Sequence, residues 1–128
     1  MTLQPRSLCI AIADKVRLRI LAHEWTPGAP INDADIARDY GVSRTPVREA
    51  FKLLCQDGLL QSHPRRGMSV AEPDSAQLRE AQALQQWLHS YMQSHGNQLP
   101  TDSLVLTMLR LANNRLQLGK QAALSNHL

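Results

Sequence analysis

Long apolar runs are missing from this chain of 128 residues. A membrane-spanning helix needs about 18 or more consecutive apolar residues, and no segment approaches that. Cysteine is nearly absent. Cys9 and Cys55 are the two present and form no CxxC pair, which argues against a disulfide scaffold or a zinc ribbon and fits a reducing cytoplasm. Aromatic residues make up 4%, so the core must be aliphatic. Catalytic signatures are also lacking. There is no Gly-rich phosphate loop, no nucleophile motif, and no HExxH, since His23-Glu24-Trp25 lacks the second histidine. The other histidines, His63, His89, His95 and His127, show no i, i+4 pairing, so neither a metal nor another cofactor is expected and an enzyme is not the reading. The first residues, MTLQPRSLCIAIADKVRLRI, place charges inside their only apolar stretch, so no secretory signal is expected.

What is present is 43% hydrophobic and 20% charged, the balance of a folded globular chain. The formal net charge is +3, and all of the excess lies in the first part. Lys and Arg number 10 and Asp and Glu 7 up to Ala71, against 4 and 4 afterwards. A basic first part permits a polyanionic partner without demanding one.

The patterning is mainly helical with one small β-hairpin. Ser7 to about Ala22 reads as a first helix with Ile10, Ala13, Leu18 and Leu21 on its apolar stripe. Lys15, Arg17 and Arg19 of that helix read as a solvated face. Asn32 is placed to cap a short second helix, Asp33 to Tyr40, with Gly41 as its left-handed stop. Ser43 can cap a third helix running to about Gln56, with Gly58 ending it. Two extended segments follow, Leu59–His63 and Met68–Ala71, around a turn of Pro64-Arg65-Arg66-Gly67. Beyond Glu72-Pro73-Asp74-Ser75, two longer helices are expected. The first, from about Ser75 to Ser94, is capped by Asp74 or Ser75 and striped by Leu78, Ala81, Leu84, Leu88 and Tyr91. Gly96, Asn97 and Pro100 break the chain, and Thr101 or Asp102 can cap the last helix. The domain boundaries expected are 7–71 and 75–128.

The third helix divides its residues by chemistry. At about 100° per residue, Val47, Ala50, Phe51, Leu54 and Cys55 share one arc. Thr45, Arg48, Glu49, Lys52 and Gln56 share the opposite arc, with Arg44 at the border in the first turn. Cys9 and Cys55 read as small core residues. An α-helix fits the major groove of B-DNA, and arginine pairs bidentately with guanine O6 and N7. The cationic turn tip, Arg65 and Arg66 with Gly67, can follow the backbone or enter the minor groove.

The string GVSRTPVREAFKLLCQDGLL, with the hairpin that ends RRGMSV, resembles the N-terminal winged helix-turn-helix domain of GntR-family bacterial transcription regulators, the FadR-type branch in particular. The resemblance implies that Ser43 contacts phosphate, that Arg44 reads a base, that Thr45 and Arg48 also contact DNA, and that Arg65, Arg66 and Gly67 form the wing tip. Asp33 matches the acidic residue that opens helix two, and Ala34 stands where some relatives carry a DNA-contacting arginine. FadR-type regulators continue into an all-helical effector domain of about 150 residues, but only two helices are expected here, and no Asp-x-x-x-His occurs after Asp74. Two such helices suit dimerisation better than enclosure of a ligand. Trp87, beside the stripe, reads as a packing or dimer contact. The expectation is a winged helix-turn-helix followed by a two-helix dimerisation segment. It would be a cytoplasmic homodimeric repressor that binds a palindromic double-stranded DNA operator sequence-specifically. Two other readings are a protein-interaction module that pairs with and modulates a full-length related regulator, and the remnant of a degraded one. The sequence leaves open whether a small-molecule effector binds.

Overall fold

The computed structural model describes residues 5–96 and 99–125; Asn97 and His127 fall outside them. The chain forms two compact units, Met1–Ala71 and Glu72–Leu128. In the first, α1 (Pro5–Leu21), α2 (Asp33–Tyr40) and α3 (Arg44–Gln56) combine with β1 (Pro30–Ile31), β2 (Leu60–His63) and β3 (Gly67–Val70). The second holds α4 (Ser75–His95) and α5 (Leu104–Ser125).

The short α2 is defined at both ends by its caps. The Asn32 side chain accepts hydrogen bonds from the Ala34 and Asp35 backbone N–H groups, and Asp33 and Asp35 favour the positive end of the helix dipole. Gly41, at φ 63°, closes the other end in the left-handed region that glycine enters without steric cost. Ile36 and Ala37 are the face it buries. Only two residues separate Gly41 from α3, so the two helices form a tight helix-turn-helix.

Helix α3 buries Val47, Ala50, Phe51 and Leu54, the arc expected from its sequence. It packs against α1, α2 and β2. Helix α1 meets it through Ile12, Ala13, Val16 and Ile20, which differs from the expected stripe. Of the residues assigned to that stripe Ala13 is buried, whereas Ile10 and Leu18 are 43% and 69% exposed. Helix α1 carries apolar residues on opposite sides, so periodicity offers two candidate faces, and contact with α3 selects the one that includes Ile12, Val16 and Ile20.

The cations of α1 also correct the sequence reading. Arg17 is not simply solvated. It bonds Asp57 at 2.7 Å across 40 positions and Asp14 at 2.6 Å one turn back. Partial burial alone would lower its pKa, but the hydrogen bonds to Asp57 and Asp14 hold it above the ordinary value. Arg19 bonds Glu24 and the Tyr40 hydroxyl and lies 4.7 Å from the Trp25 ring centroid. Lys15 sits 5.5 Å from the Tyr40 centroid. These cations join α1 to its neighbours and are structural.

The hairpin gains a third strand. The sheet order is β1-β3-β2, antiparallel throughout, with Ile31 opposite Met68 and His63 opposite Gly67. Two residues are too few for period-2 alternation to be visible in sequence, and Pro30 sits on an edge strand, where its missing N–H costs no ladder bond. Cys9 and Cys55 are half-buried rather than core, and burial pushes the Cys55 thiol up.

In the second unit, Asp74 caps α4 through a reciprocal pair with Gln77. Helix α5 is capped by Ser103 rather than Thr101 or Asp102: its hydroxyl accepts from the Val105 N–H at 3.2 Å. The helices pack on Ala81, Leu88, Ala112 and Leu118. Gly119 lets them approach closely, since an added Cβ there would collide with the Leu78 side chain. Trp87 and Leu104 are 68% and 71% exposed, and Tyr91, expected in the stripe, stacks on His95.

Two stability changes are expected. Leu54→Ala, at a fully buried site, should cost about 2–5 kcal/mol. Asn32→Ala should cost about 1 kcal/mol through the lost cap. Denaturant melts of the two variants against the parent chain check both.

Candidate nucleic-acid interface

Burial of one arc of α3 fixes where its other arc points. Arg44 and Arg48, one turn apart, keep about half of their side-chain surface exposed (55% and 56%). Opposite them, at the first position of α2, stands Asp33, whose side chain is 20% exposed. Its carboxylate bridges the helices. One oxygen accepts from Arg44 Nη2 at 3.3 Å, and the other accepts from Arg48 Nε at 2.7 Å. The Asn32 cap directly precedes Asp33, so the cap that starts α2 also places this carboxylate.

The hydrogen bond from Arg48 is the largest cause holding the Asp33 carboxyl below the usual carboxylate range. Partial burial opposes it, and the charges of Arg44 and Arg48 reinforce it. Asp33 is therefore ionised at neutral pH, and the pair of arginines is held around one negative charge.

The hairpin supplies the other wall. Arg65 takes a left-handed backbone at φ 66° and Gly67 follows at φ 83°. The Arg66 N–H closes the turn on the His63 carbonyl at 3.1 Å. Arg65, Arg66 and Gly67 are all exposed. The His63 ring lies 2.7 Å from the Ser69 hydroxyl, so it braces the base of the hairpin. Between hairpin and helix runs an open groove of about 820 Å³ lined by Asp33, Arg44, Arg48, Lys52, Arg66 and Gly67. Lys52 is tied to Glu49 at 3.0 Å.

The residues singled out in sequence thus fall into three places. Arg44, Arg48, Arg66 and Gly67 share that groove. Ser43 and Thr45 line a second groove of about 550 Å³ with Arg6, Pro46 and Glu49. Arg65 lines neither. Ser43 occupies the N-cap position with an extended backbone but makes no side-chain cap bond, so its hydroxyl is not used to close the helix. Arg6, beside Ser43 and Thr45, was not picked out by sequence; it stands 37 positions earlier, and no local pattern links the two. The bridging role of Asp33 was likewise not visible, because its partners are 11 and 15 residues away. Among the described residues no group of three or more His, Cys, Asp or Glu could hold a metal, and no helix is long and apolar enough to cross a membrane.

A three-helix unit with a strand pair behind its last helix, and with cations on that helix and on the turn, is the architecture of a winged helix-turn-helix. Residues 10–70, just under half of the chain, match the family model described as bacterial regulatory proteins, gntR family, so this unit is similar to the domain of that family. It is 43% identical over 72 residues to an HTH-type transcriptional regulator in an unstable DNA locus of Streptomyces ambofaciens, covering 56% of this chain and 30% of that protein. It is 34% identical over 77 residues to the HTH-type transcriptional repressor RspR of Escherichia coli, covering 60% and 34%. The matched stretch is therefore about a third of each relative. The family and these relatives are transcription regulators, not enzymes. A Rhodococcus sp. RHA1 protein described as a GntR transcriptional regulator shares the fold at TM-score 0.60 and 18% identity, over 93% of this chain and 68% of that one.

The Asp33 bridge has a sign in pH. Its folded pKa is lowered, so its contribution to stability is complete above about pH 4 and is lost as pH falls through the folded value. In a carboxyl-carbon NMR titration, Arg48→Ala should move the Asp33 midpoint upward. An unchanged midpoint would remove Arg48 as the main cause.

Proposed function

We propose that this chain is a sequence-specific double-stranded DNA-binding transcription repressor that acts in the cytoplasm as a homodimer on a palindromic operator. The observation that carries the proposal is the shared groove, in which two exposed arginines of α3 face a wing arginine across a width open to solvent. Unit Met1–Ala71 is the DNA-binding domain and Glu72–Leu128 the dimerisation segment. Arg44 and Arg48 read base edges in the major groove, where arginine meets guanine O6 and N7. Ser43 and Thr45 fix the register of α3 on a phosphate, which the free N–H groups of its first turn also attract. Arg65, Arg66 and Gly67 lay the wing along the flanking backbone.

Repression is supported by the names of two relatives, the repressor RspR and a probable D-xylose utilization operon transcriptional repressor of Paenarthrobacter nicotinovorans. Dimerisation is supported by the second unit itself. Two helices bury few side chains between them and leave Trp87, Tyr91 and Leu104 in solvent, apolar surface that a second copy would cover. The same surface would serve a longer relative, which is the interaction-module reading.

Fluorescence anisotropy on DNA from upstream of the gene, against a scrambled duplex, tests the proposal. Arg44→Ala should cost about 1–3 kcal/mol on the native sequence and relax specificity at one position. An equal loss on both probes would reassign Arg44 to phosphate. Light scattering after size exclusion should give a dimer, and Trp87→Ser with Leu104→Ser should shift it toward monomer. A monomer that recruits DNA only when mixed with a longer relative would favour the interaction module.

A further inference from the structure

The Asp33 carboxylate is a negative charge standing among the cations that are to meet a polyanion. Its geometry treats the two arginines differently. Arg48 is bonded through Nε at 2.7 Å. That leaves its two terminal nitrogens, a pair that can match guanine O6 and N7, without a hydrogen bond among the described residues. Arg44 is bonded at 3.3 Å through one of its own terminal nitrogens, so its fork is partly occupied. The anchor is recessed, at 20% exposure, while both arginine side chains are more than half exposed.

We propose that Asp33 is the specificity-determining residue of this interface: it positions Arg48 as the fixed guanine reader and restrains Arg44 and Arg48 from pairing with phosphate at random. This rests on the DNA-binding reading above. A guanidinium held by Nε has lost most of its rotational freedom, so its terminal fork meets one base geometry rather than many. Pairing Arg44 with a phosphate, or swinging Arg48 away from its held direction onto one, breaks a bond to Asp33 and leaves that recessed carboxylate with one partner instead of two. Meeting a guanine with Arg48 breaks nothing, because the Nε bond is kept. The carboxylate therefore weighs against non-specific contacts and leaves the specific one intact, which is how a negative charge improves discrimination. Arg44, more loosely held, is the adaptable partner.

The test uses the whole chain with native and scrambled duplexes across a salt series, and three variants. Asp33→Asn removes the charge and the strong acceptor. It should bind scrambled DNA several-fold more tightly, steepen the salt dependence, and cut the ratio of native to scrambled affinity about tenfold. Asp33→Glu keeps a carboxylate and should restore most of that ratio. Asp35→Asn is the control. It lies in the same first turn of α2 with the same charge, but it pairs with Arg38 and not with α3. It should raise both affinities together and leave the ratio unchanged. Equal ratios in Asp33→Asn and the parent chain, or an equal loss in Asp35→Asn, would overturn the proposal while leaving the DNA-binding reading in place. A parent chain that does not discriminate at all would overturn both.

Discussion

The burial of Val47, Ala50, Phe51 and Leu54 against α1, α2 and the hairpin is the constraint from which the rest follows. A helix has one rotational setting once four side chains on one arc are sealed from water, and at roughly 1.5–3 kcal/mol for each large one that setting is not negotiable. The opposite arc must then face solvent, whatever its chemistry. In this chain that arc carries Thr45, Arg48, Glu49, Lys52 and Gln56 with Arg44 at its border, and this polar surface faces outward because the core leaves it nowhere else to go.

Positioning is completed by polar contacts of modest individual strength. Asn32 starts α2, Asp33 follows it, and the carboxylate ties α2 to the two arginines of α3. Arg17 and Asp57 tie the end of α3 to α1 in a part-buried bridge. Desolvation offsets much of the Coulombic gain in such bridges, so these contacts specify geometry more than they add net stability. The wing depends on backbone conformation instead, with Arg65 and Gly67 both left-handed on either side of Arg66.

Sequence made the elements legible where local physics decides them. The caps at Asn32, Gly41 and Asp74 and the split of α3 depend on neighbours within a turn or two, and the structure carries them. It failed where distant contacts decide. Helix α1 offers two apolar faces, and only contact with α3 chooses the one with Ile12, Val16 and Ile20. The third strand is two residues long, and its partner lies 37 or more positions away. Arg17 and Arg19 looked solvated because Asp57 and Tyr40 are far along the chain. At the site, the cations were readable from the helix wheel, but the carboxylate that organises them was not, since nothing local links position 33 to position 48.

We propose that the exposed arc of α3 reads guanines from the major groove. Methylation interference addresses it most directly, because a methyl group on guanine N7 blocks the atom arginine would approach without altering the backbone. Binding should be lost on methylation of guanines in two symmetric half-sites, about one helical turn apart from centre to centre, and methylation elsewhere should have no effect. Binding that tolerates methylation at every guanine, and responds only to ethylation of phosphates, would contradict it.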